Sequence, residues 1–248
     1  MVNLNARGRD FLQLNALISA ALERGEQVEV THLSAMHNLA VGLCSPGVVE
    51  LIGSPGFYVG GFSNHADIRI QGNAGWYAAD NLVGGCVEIF GNAGCNAGAY
   101  MAGGSLIIHG NAGSRLAYAM KGGTILVDGC VGRWCAQMTL GGSVVITGDI
   151  AEGAGESMYR GKLFLNRRAS AGSLGSNVCL TPLEPGEREW LEELFETHNV
   201  RSAASSFQVV RPLTTGRHNY VLFDPDLTSQ GPKRSQSAEA SPKKGAII

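Results

Sequence analysis

The sequence is poor in charged residues, has no excess of either sign and contains no long hydrophobic run. Only 16% of its 248 residues are charged, and 19 Lys and Arg nearly balance 21 Asp and Glu. This balance disfavours a nucleic-acid-binding protein, which needs a basic surface to neutralise phosphates. No stretch of 18 apolar residues occurs, so no membrane-spanning helix is predicted. Arg9, Asp10, Gln13 and Asn15 interrupt the apolar positions near the N-terminus, a pattern unlike that of a signal peptide.

Paired cysteine motifs are also missing. The six cysteines, none of them in a CxxC motif, are Cys44, Cys86, Cys95, Cys130, Cys135 and Cys179. Because no secretory signal is evident, we expect reduced thiols in a cytoplasmic protein. Cys130 and Cys135 lie close together in CVGRWC, and we interpret them as fillers of small apolar positions rather than as a metal or redox pair.

Glycine is abundant, with 35 residues, and it recurs at a fixed period of 19. The first glycine column consists of Gly53, Gly72, Gly91, Gly110, Gly129 and Gly148, and the second, three residues later, of Gly56, Gly75, Gly94, Gly113 and Gly132. A strict period of this kind indicates tandem structural repeats.

Each repeat also carries an apolar alternation that predicts a short strand. One apolar column runs from Val49 to Leu163 at the same period, and a second runs two residues later from Leu51 to Leu165. Alternation with period two is typical of a strand with one buried face. Because so short a repeat leaves no room for a helix between strands, the units are predicted to stack as a parallel β-solenoid of about seven coils.

The glycine columns are predicted to occupy sharp corners, where glycine permits positive φ. Alanine replaces glycine in a third small-residue column, at Ala79, Ala117 and Ala136, so those corners are predicted not to need positive φ. The column after the first glycine predicts a ladder of stacked amides between coils, formed by Asn73, Asn92 and Asn111.

The strand position between the two buried columns is predicted to face outward. It is charged at Arg69 and Glu88. It is then apolar in four successive coils, at Ile107, Leu126, Val145 and Phe164. An apolar outer stripe needs a cover. Either the chain's own C-terminal segment or a partner subunit could supply it, so these four residues are a candidate interface.

Composition divides the chain into four parts. Residues 1–48 carry an N-terminal helical pattern at 9–24, and residues 49–170 form the β-helix repeat domain. Residues 171–226 carry a second helical pattern from Pro185 to His198 and an extended segment, and residues 227–248 are predicted to be a disordered tail. We expect the two helices to cap the solenoid, whose open ends are unpaired sheet edges. The predicted class is therefore all-β, a parallel β-helix with short capping helices.

No catalytic constellation is evident in the sequence. No cysteine forms a motif with a histidine, and the acids of the repeats fall in different columns, so they do not line one groove. The GNAG segments lack the lysine and helix that follow in a phosphate-binding loop. We assign no catalytic, cofactor-binding or metal-binding residue to this chain and interpret it as a scaffold or interaction subunit.

The 19-residue coils with the pattern GNAGxxxG, as in GNAGCNAG at 91–98, resemble the glycine-repeat (GXGXG) β-helix at the C-terminal end of the glutamate synthase large subunit. The flanks LQLNALISAAL, SMYRGKLFLNRRASAGSLGSNV, PGEREWLEELFE and RHNYVLFDPD look most like the small glutamate-synthase-like subunit of N-methylglutamate synthase. The resemblance covers roughly residues 3–226.

This resemblance implies a right-handed β-helix that performs no chemistry. It implies a structural subunit that holds a glutamine amidotransferase-like subunit and an FMN-dependent synthase-like subunit together in a hetero-oligomer. The cofactors would then lie on the partner subunits: FMN, with an iron–sulfur cluster as a further candidate. The same module implies an alternative, the third subunit of formylmethanofuran dehydrogenase and of its formyltransferase/hydrolase relatives.

Overall fold

The computed structural model describes residues 1–166 and 173–213, which belong to one compact unit. The predicted tail at 227–248 and the end of the predicted extended segment lie outside the described residues. The strands are β1 Val2–Asn5, β2 Val28–Thr31, β3 Gly47–Ile52, β4 Ala66–Gln71, β5 Cys86–Ile89, β6 Ser105–Ile108, β7 Thr124–Val127, β8 Ser143–Ile146, β9 Lys162–Asn166, β10 Val178–Thr181 and β11 Phe207–Pro212. The helices are α1 Phe11–Glu23 and α2 Pro185–Thr197, and no helix in the described part is long and apolar enough to cross a membrane.

The strands build a right-handed parallel β-helix of about seven turns, which confirms the predicted fold class. From β3 to β9, each strand pairs in parallel with the strand one repeat later; Asp67, for example, lies opposite Cys86, and Cys86 lies opposite Ser105. A second parallel ladder joins Ala74, Ala93 and Ala112 at another corner of successive coils. Because the register repeats without slippage, every column of the sequence becomes a column in space.

The N-terminal part closes one end of the solenoid, as predicted. In α1, the apolar residues Leu14, Ile18, Ala21 and Leu22 are buried and join the core formed by the inward-facing strand columns. The helix starts at a capping box. The Asp10 side chain accepts a hydrogen bond from the Gln13 backbone N–H, and the Gln13 side chain accepts one from the Asp10 backbone N–H. The sequence pattern did not predict β1, which pairs in parallel with β2 outside the repeats.

The C-terminal part folds back over the apolar outer stripe. Ile107, Leu126, Val145 and Phe164 are all 1% exposed or less, and they form a second core with residues of α2 and β11, including Leu191, Phe195, Phe207 and Val209. The sequence left open whether the C-terminal segment or a partner subunit covers the stripe, and the structure shows the C-terminal segment in this place. The prediction that these four residues form an interface is therefore corrected. The same chain buries them, so they are not a surface for a partner.

Helix α2 was predicted to cap one end of the solenoid, but it lies along the stack of coils instead. Its first turn contacts β9, where Lys162 Nζ lies 2.8 Å from Glu187 Oε1, and Trp190 packs on Phe164. Its last residues reach the coils of Glu88 and His109, whose charges act on His198 just after the helix. A 13-residue helix is about 20 Å long, and five strands spaced about 4.8 Å apart span about 19 Å. The helix therefore covers the apolar coils and stops where the outward column becomes charged.

The two glycine columns have a different role from the predicted one. Within them only Gly53 has positive φ, at +122°. The others are required because successive coils approach too closely for a side chain. A Cβ on Gly72 would lie 2.6 Å from the Gly53 carbonyl oxygen, and one on Gly110 would lie 2.7 Å from that of Gly91. Real Cβ atoms do not come that close to backbone, so these columns are fixed by packing between coils.

Positive φ occurs instead at the second glycine of the glycine pairs, such as Gly85 and Gly104, and at three alternating positions in each coil. In one coil these are Tyr77, Ala79 and Asn81, with φ of +60°, +58° and +52°. The prediction that the alanine corners avoid positive φ is therefore wrong, since Ala117 and Ala136 also have φ of +60° and +55°. The conformation persists because the backbone N–H groups then bond to neighbouring coils: that of Tyr77 to the next coil and that of Ala79 to the preceding one, each at 2.9 Å. These bonds offset strain of about 1–2 kcal/mol per residue.

Candidate interaction surface

The residue types that could have carried chemistry are dispersed in the fold. The described residues contain no group of three or more His, Cys, Asp or Glu placed to hold a metal ion, and all six cysteines are free. Cys135 is buried, whereas Cys130 is exposed, so the two do not face each other across a common pocket. Burial raises the pKa of Cys135 to about 12. A thiol held neutral in this way is a packing residue, as the sequence predicted for Cys135, but the same prediction is wrong for the exposed Cys130.

One charged row lies on the outer strand face below the end of α2. Arg69 lies 3.5 Å from Glu50 and 4.0 Å from Glu88, and the Glu88 carboxylate lies 2.9 Å from Nε2 of His109. The His109 ring also stacks on Phe90, with centroids 5.0 Å apart. Burial lowers the pKa of His198 in this region, with His109 adding to the effect and Glu88 opposing it. The row is explained by pairing of Glu50, Arg69 and Glu88 along one column and of Glu88 with His109 in the column beside it, and it leaves no group poised for catalysis.

The amide ladder predicted from the sequence is present on a corner of the coils. The Asn73 side-chain oxygen accepts from the Asn92 backbone N–H at 2.8 Å, and that of Asn92 accepts from the Asn111 backbone N–H at 2.8 Å. The ladder ends where Asn111 accepts from the Cys130 backbone N–H. Each amide thus bonds the backbone of the next coil, so this corner is structural.

Exposed aromatic side chains are concentrated on the corner formed by the positive-φ positions, within three successive coils. We call this surface the aromatic patch; it consists of the exposed Phe57, Tyr58, Phe62, Trp76 and Tyr100 and the half-buried Tyr77. The rings stack from coil to coil: Phe57 on Trp76 with centroids 5.4 Å apart, and Tyr58 on Tyr77 with centroids 4.8 Å apart. Trp76 is 51% exposed and Phe62 is 55% exposed. The periodic positions of these residues are visible in the sequence, but they were not predicted as a site.

A buried carboxylate lies within the aromatic patch. Asp80 is only 6% exposed, and its backbone carbonyl accepts from the Phe62 N–H at 2.8 Å. Its Oδ2 accepts from the Asn81 side chain at 2.9 Å, but its buried Oδ1 has no hydrogen-bond partner among the described residues. Burial raises the pKa of Asp80 and outweighs the opposing effects of Asn81 and Lys121. The pKa of Tyr100 is also raised, by burial first and then by Tyr118, Asp80 and Tyr77, which places those groups close together.

Two surface depressions, one at each end of α2, carry no convergent chemistry. An open depression of about 660 Å³ lies beside the end of α2 and is lined by residues such as Glu192, Asn199 and Arg201. A smaller one of about 390 Å³ lies at the start of α2, where Lys162 and Glu187 already pair with each other. The aromatic patch with Asp80 is therefore the surface whose residues are least explained by the fold alone.

Comparison with known proteins gives a structural likeness and no sequence match. No family model matches the sequence, and no curated protein is significantly similar to it. One chain in the crystal structure of the formyltransferase/hydrolase complex FhcABCD from Methylorubrum extorquens, solved with methylofuran, is similar in fold. The TM-score is 0.68 at 21% identity, and the likeness covers 81% of this chain and 89% of that chain.

Proposed function

We propose that this chain is a non-catalytic structural subunit of a hetero-oligomeric enzyme complex of the formyltransferase/hydrolase type. The observation that carries the proposal is the extent of the likeness to the FhcABCD chain, which covers 89% of that chain's length. A likeness of this extent is to a whole subunit of a complex rather than to one domain of a larger enzyme. The fold supports the same role, since its strands, caps and glycine columns are all used in stacking coils.

A glutamate-synthase-like complex of the N-methylglutamate synthase type is the second candidate. Its support is the resemblance of the flanking segments, one of which, PGEREWLEELFE, forms the helix that seals the outer stripe. In that complex the partners would be an amidotransferase-like subunit and a subunit that binds FMN. The structural likeness favours the formyltransferase/hydrolase type over this one.

Purification of the full-length chain with a cleavable tag from its native host tests both candidates. Native mass spectrometry would give the mass of the assembly, peptide mass fingerprinting its subunits, and a visible spectrum any flavin. A colourless assembly with a formyltransferase-like subunit is expected. Flavin absorbance with an amidotransferase-like subunit would instead favour the second candidate. A chain that remains monomeric, with the tag alone as the control, would contradict both.

A further inference from the structure

Strand β1 is the outermost strand at the N-terminal end of the solenoid, and its outer edge is open. It pairs in parallel with β2 on one side only. The backbone N–H groups of Val2 and Ala6 donate towards β2, at 2.7 Å and 2.9 Å, so the backbone groups of Asn3 and Asn5 point the other way. In the described part of the chain, the one hydrogen bond to these outward groups is donated by the Arg9 guanidinium to the Asn5 carbonyl. Free groups on an edge strand bond another extended strand.

The inward column of the sheet is also least covered at β1. Val2 and Leu4 lie directly on Val28 and Val30 of β2. The two β2 residues are fully buried, whereas Val2 is partly exposed and Leu4 retains 8% exposure. The stack of apolar layers therefore ends at β1 without a further layer above it.

Helix α1, which covers the core at the same end, has an outer face that lacks charge. It contains one charged residue, Glu23 at its last position, whereas α2 of equal length contains six. On the side turned away from the core, Leu12 is 65% exposed and Leu17 is 42% exposed. A helix that is apolar all round is normally buried on every side. We call the free edge of β1 and the outer face of α1 together the end face.

We propose that the end face binds the end face of a second copy of this chain, with the two β1 strands paired antiparallel. One rotation satisfies both elements. The two-fold axis that relates antiparallel neighbours is perpendicular to their sheet, so it leaves both cores on the same side and sets α1 against α1 of the partner. The exposed leucines of each copy then meet a surface as poor in charge as their own. The contact goes beyond the proposed function, because it needs no other subunit.

The outward backbone groups fix the register of this pairing. Directly opposite residues exchange both hydrogen bonds in an antiparallel pair. With Asn3 opposite the partner's Asn5, and Asn5 opposite the partner's Asn3, four bonds form and Leu4 faces the partner's Leu4 at the axis. Charge also favours this direction. The two copies of Arg7 lie about 20 Å apart when the strands are antiparallel, whereas parallel pairing would place them side by side.

Sedimentation equilibrium of the untagged full-length chain tests the contact, and a dimer is expected. Leu17→Glu adds a charge to the end face, and Asn3→Pro removes an N–H that β2 does not use, at an edge position that tolerates proline. We expect each to raise the dissociation constant of the dimer about tenfold or more, because every substitution occurs twice in a two-fold contact. Leu213→Glu is the matched control, since Leu213 is 41% exposed but lies after the last strand, and it should leave the constant within about a factor of two. A monomeric wild type, or a dimer that neither change weakens while circular dichroism shows both variants folded, would overturn the proposal.

Disulfide formation tests the register in a chain with Cys44→Ser and Cys130→Ser. The two Leu4 positions form a pair without hydrogen bonds, whose Cα atoms lie about 4.5 Å apart, within the range of a disulfide. Leu4→Cys should therefore give a covalent dimer on a non-reducing gel. Val2→Cys on the same face is the control, since the two copies of Val2 lie about 14 Å apart and should not link. A link at Val2→Cys, or none at Leu4→Cys, would overturn the pairing.

The mass of the native assembly separates this inference from the proposed function. An assembly that contains other subunits but one copy of this chain would overturn the inference and leave the proposed function standing. A dimer of this chain without any other subunit would support the inference and contradict the proposed function. Two copies of this chain together with other subunits would support both.

Discussion

Lys162 and Glu187 join the last repeat strand to the helix that covers the solenoid, with Nζ and Oε1 2.8 Å apart. Arg211 of β11 lies 2.7 Å from the same Glu187 oxygen, so one carboxylate fastens α2 to two strands. Burial opposes ionisation of Glu187, but hydrogen bonds from Lys162, the Glu184 backbone and Arg211 together outweigh it and hold its pKa below the usual range. The seal over the apolar stripe therefore depends on a charge.

The first prediction concerns acid sensitivity at this junction. Because its folded-state pKa is lowered, Glu187 contributes stability above its unfolded pKa and loses it as pH falls through the folded pKa. Glu187→Gln should lower the free energy of unfolding near pH 7 by about 1 kcal/mol. The difference from wild type should shrink below pH 4.5, the ordinary value for this group. Urea unfolding across pH measures it, and Glu193→Gln, exposed on the same helix, should show no such difference.

The second prediction concerns the sealed stripe. Leu126 is completely buried between the solenoid and its cover, so Leu126→Ala should lower the free energy of unfolding by about 3 kcal/mol. Arg69→Ala, in the same column but beyond the cover, should change it by less than about 0.5 kcal/mol. Chemical denaturation of both variants decides the point. Normal stability of Leu126→Ala would mean that α2 does not seal the stripe in solution.

The third prediction separates the two possible roles of the repeat glycines. Gly110 has ordinary φ, but an added Cβ would lie 2.7 Å from the backbone oxygen of Gly91. Gly110→Ala should therefore cost about 3 kcal/mol through the displacement of a coil. Gly186→Ala is the control, since nothing lies within 4 Å of its added Cβ and the position is helical. It should stabilise the chain by about 0.5 kcal/mol. Equal melting temperatures of the Gly110→Ala and Gly186→Ala variants would show that neighbouring coils can move apart without loss of stability.

The fourth prediction concerns thiol reactivity. Burial first, and then the charges of Asp67 and Glu88, raise the pKa of Cys86 to about 12, and burial does the same for Cys135. Both thiols should stay protonated at pH 8 and react slowly with an aromatic disulfide reagent until the chain unfolds. The exposed Cys44 and Cys130 should react first. The number of rapidly reacting thiols per chain should fall by one in Cys130→Ser and stay unchanged in Cys135→Ser. A rapid reaction at Cys135 would indicate local opening of the solenoid.

The fifth prediction isolates Asp80 in the uncomplexed chain. Its folded-state pKa is raised by burial, so its contribution to stability is present below the ordinary value of 3.8 and is lost as pH rises through the folded pKa. Compared with wild type, Asp80→Asn should therefore gain relative stability as pH rises from 4 to 7. The comparison is made by thermal unfolding of both chains at each pH. A constant difference would show that Oδ1 is already satisfied in solution.

The repeats could be predicted from the sequence because each column imposes the same demand several times. Apolar alternation at a period of 19 fixed the strands, the register and the inward face, and the amide ladder at Asn73, Asn92 and Asn111 followed from the same columns. Strands β1 and β10 were missed because they occur once, outside the period. Whether α2 or a partner covers the stripe depends on how the chain turns after β9, which no local pattern encodes.

The positive-φ columns were misassigned because glycine was taken as the marker of left-handed backbone. A better marker was present. The three columns that contain Tyr77, Ala79 and Asn81 include no Val, Ile or Thr in six coils, although such residues fill the strand columns. Branching at Cβ is what left-handed backbone excludes. Asp80 could not have been identified in this way, because its burial comes from neighbours in other coils.

The match between the length of α2 and the height of the coils beneath it constrains how this protein can evolve. A parallel β-helix can grow by duplication of one whole repeat, since each new coil finds the same neighbours above and below. Between β3 and β5, where the outward column is charged, such a duplication would leave the cover undisturbed. Between β6 and β9 it would add an apolar row of about 4.8 Å that α2 could reach only with about three more residues. The length of α2 thus allows the number of coils to vary between β3 and β5 but not between β6 and β9.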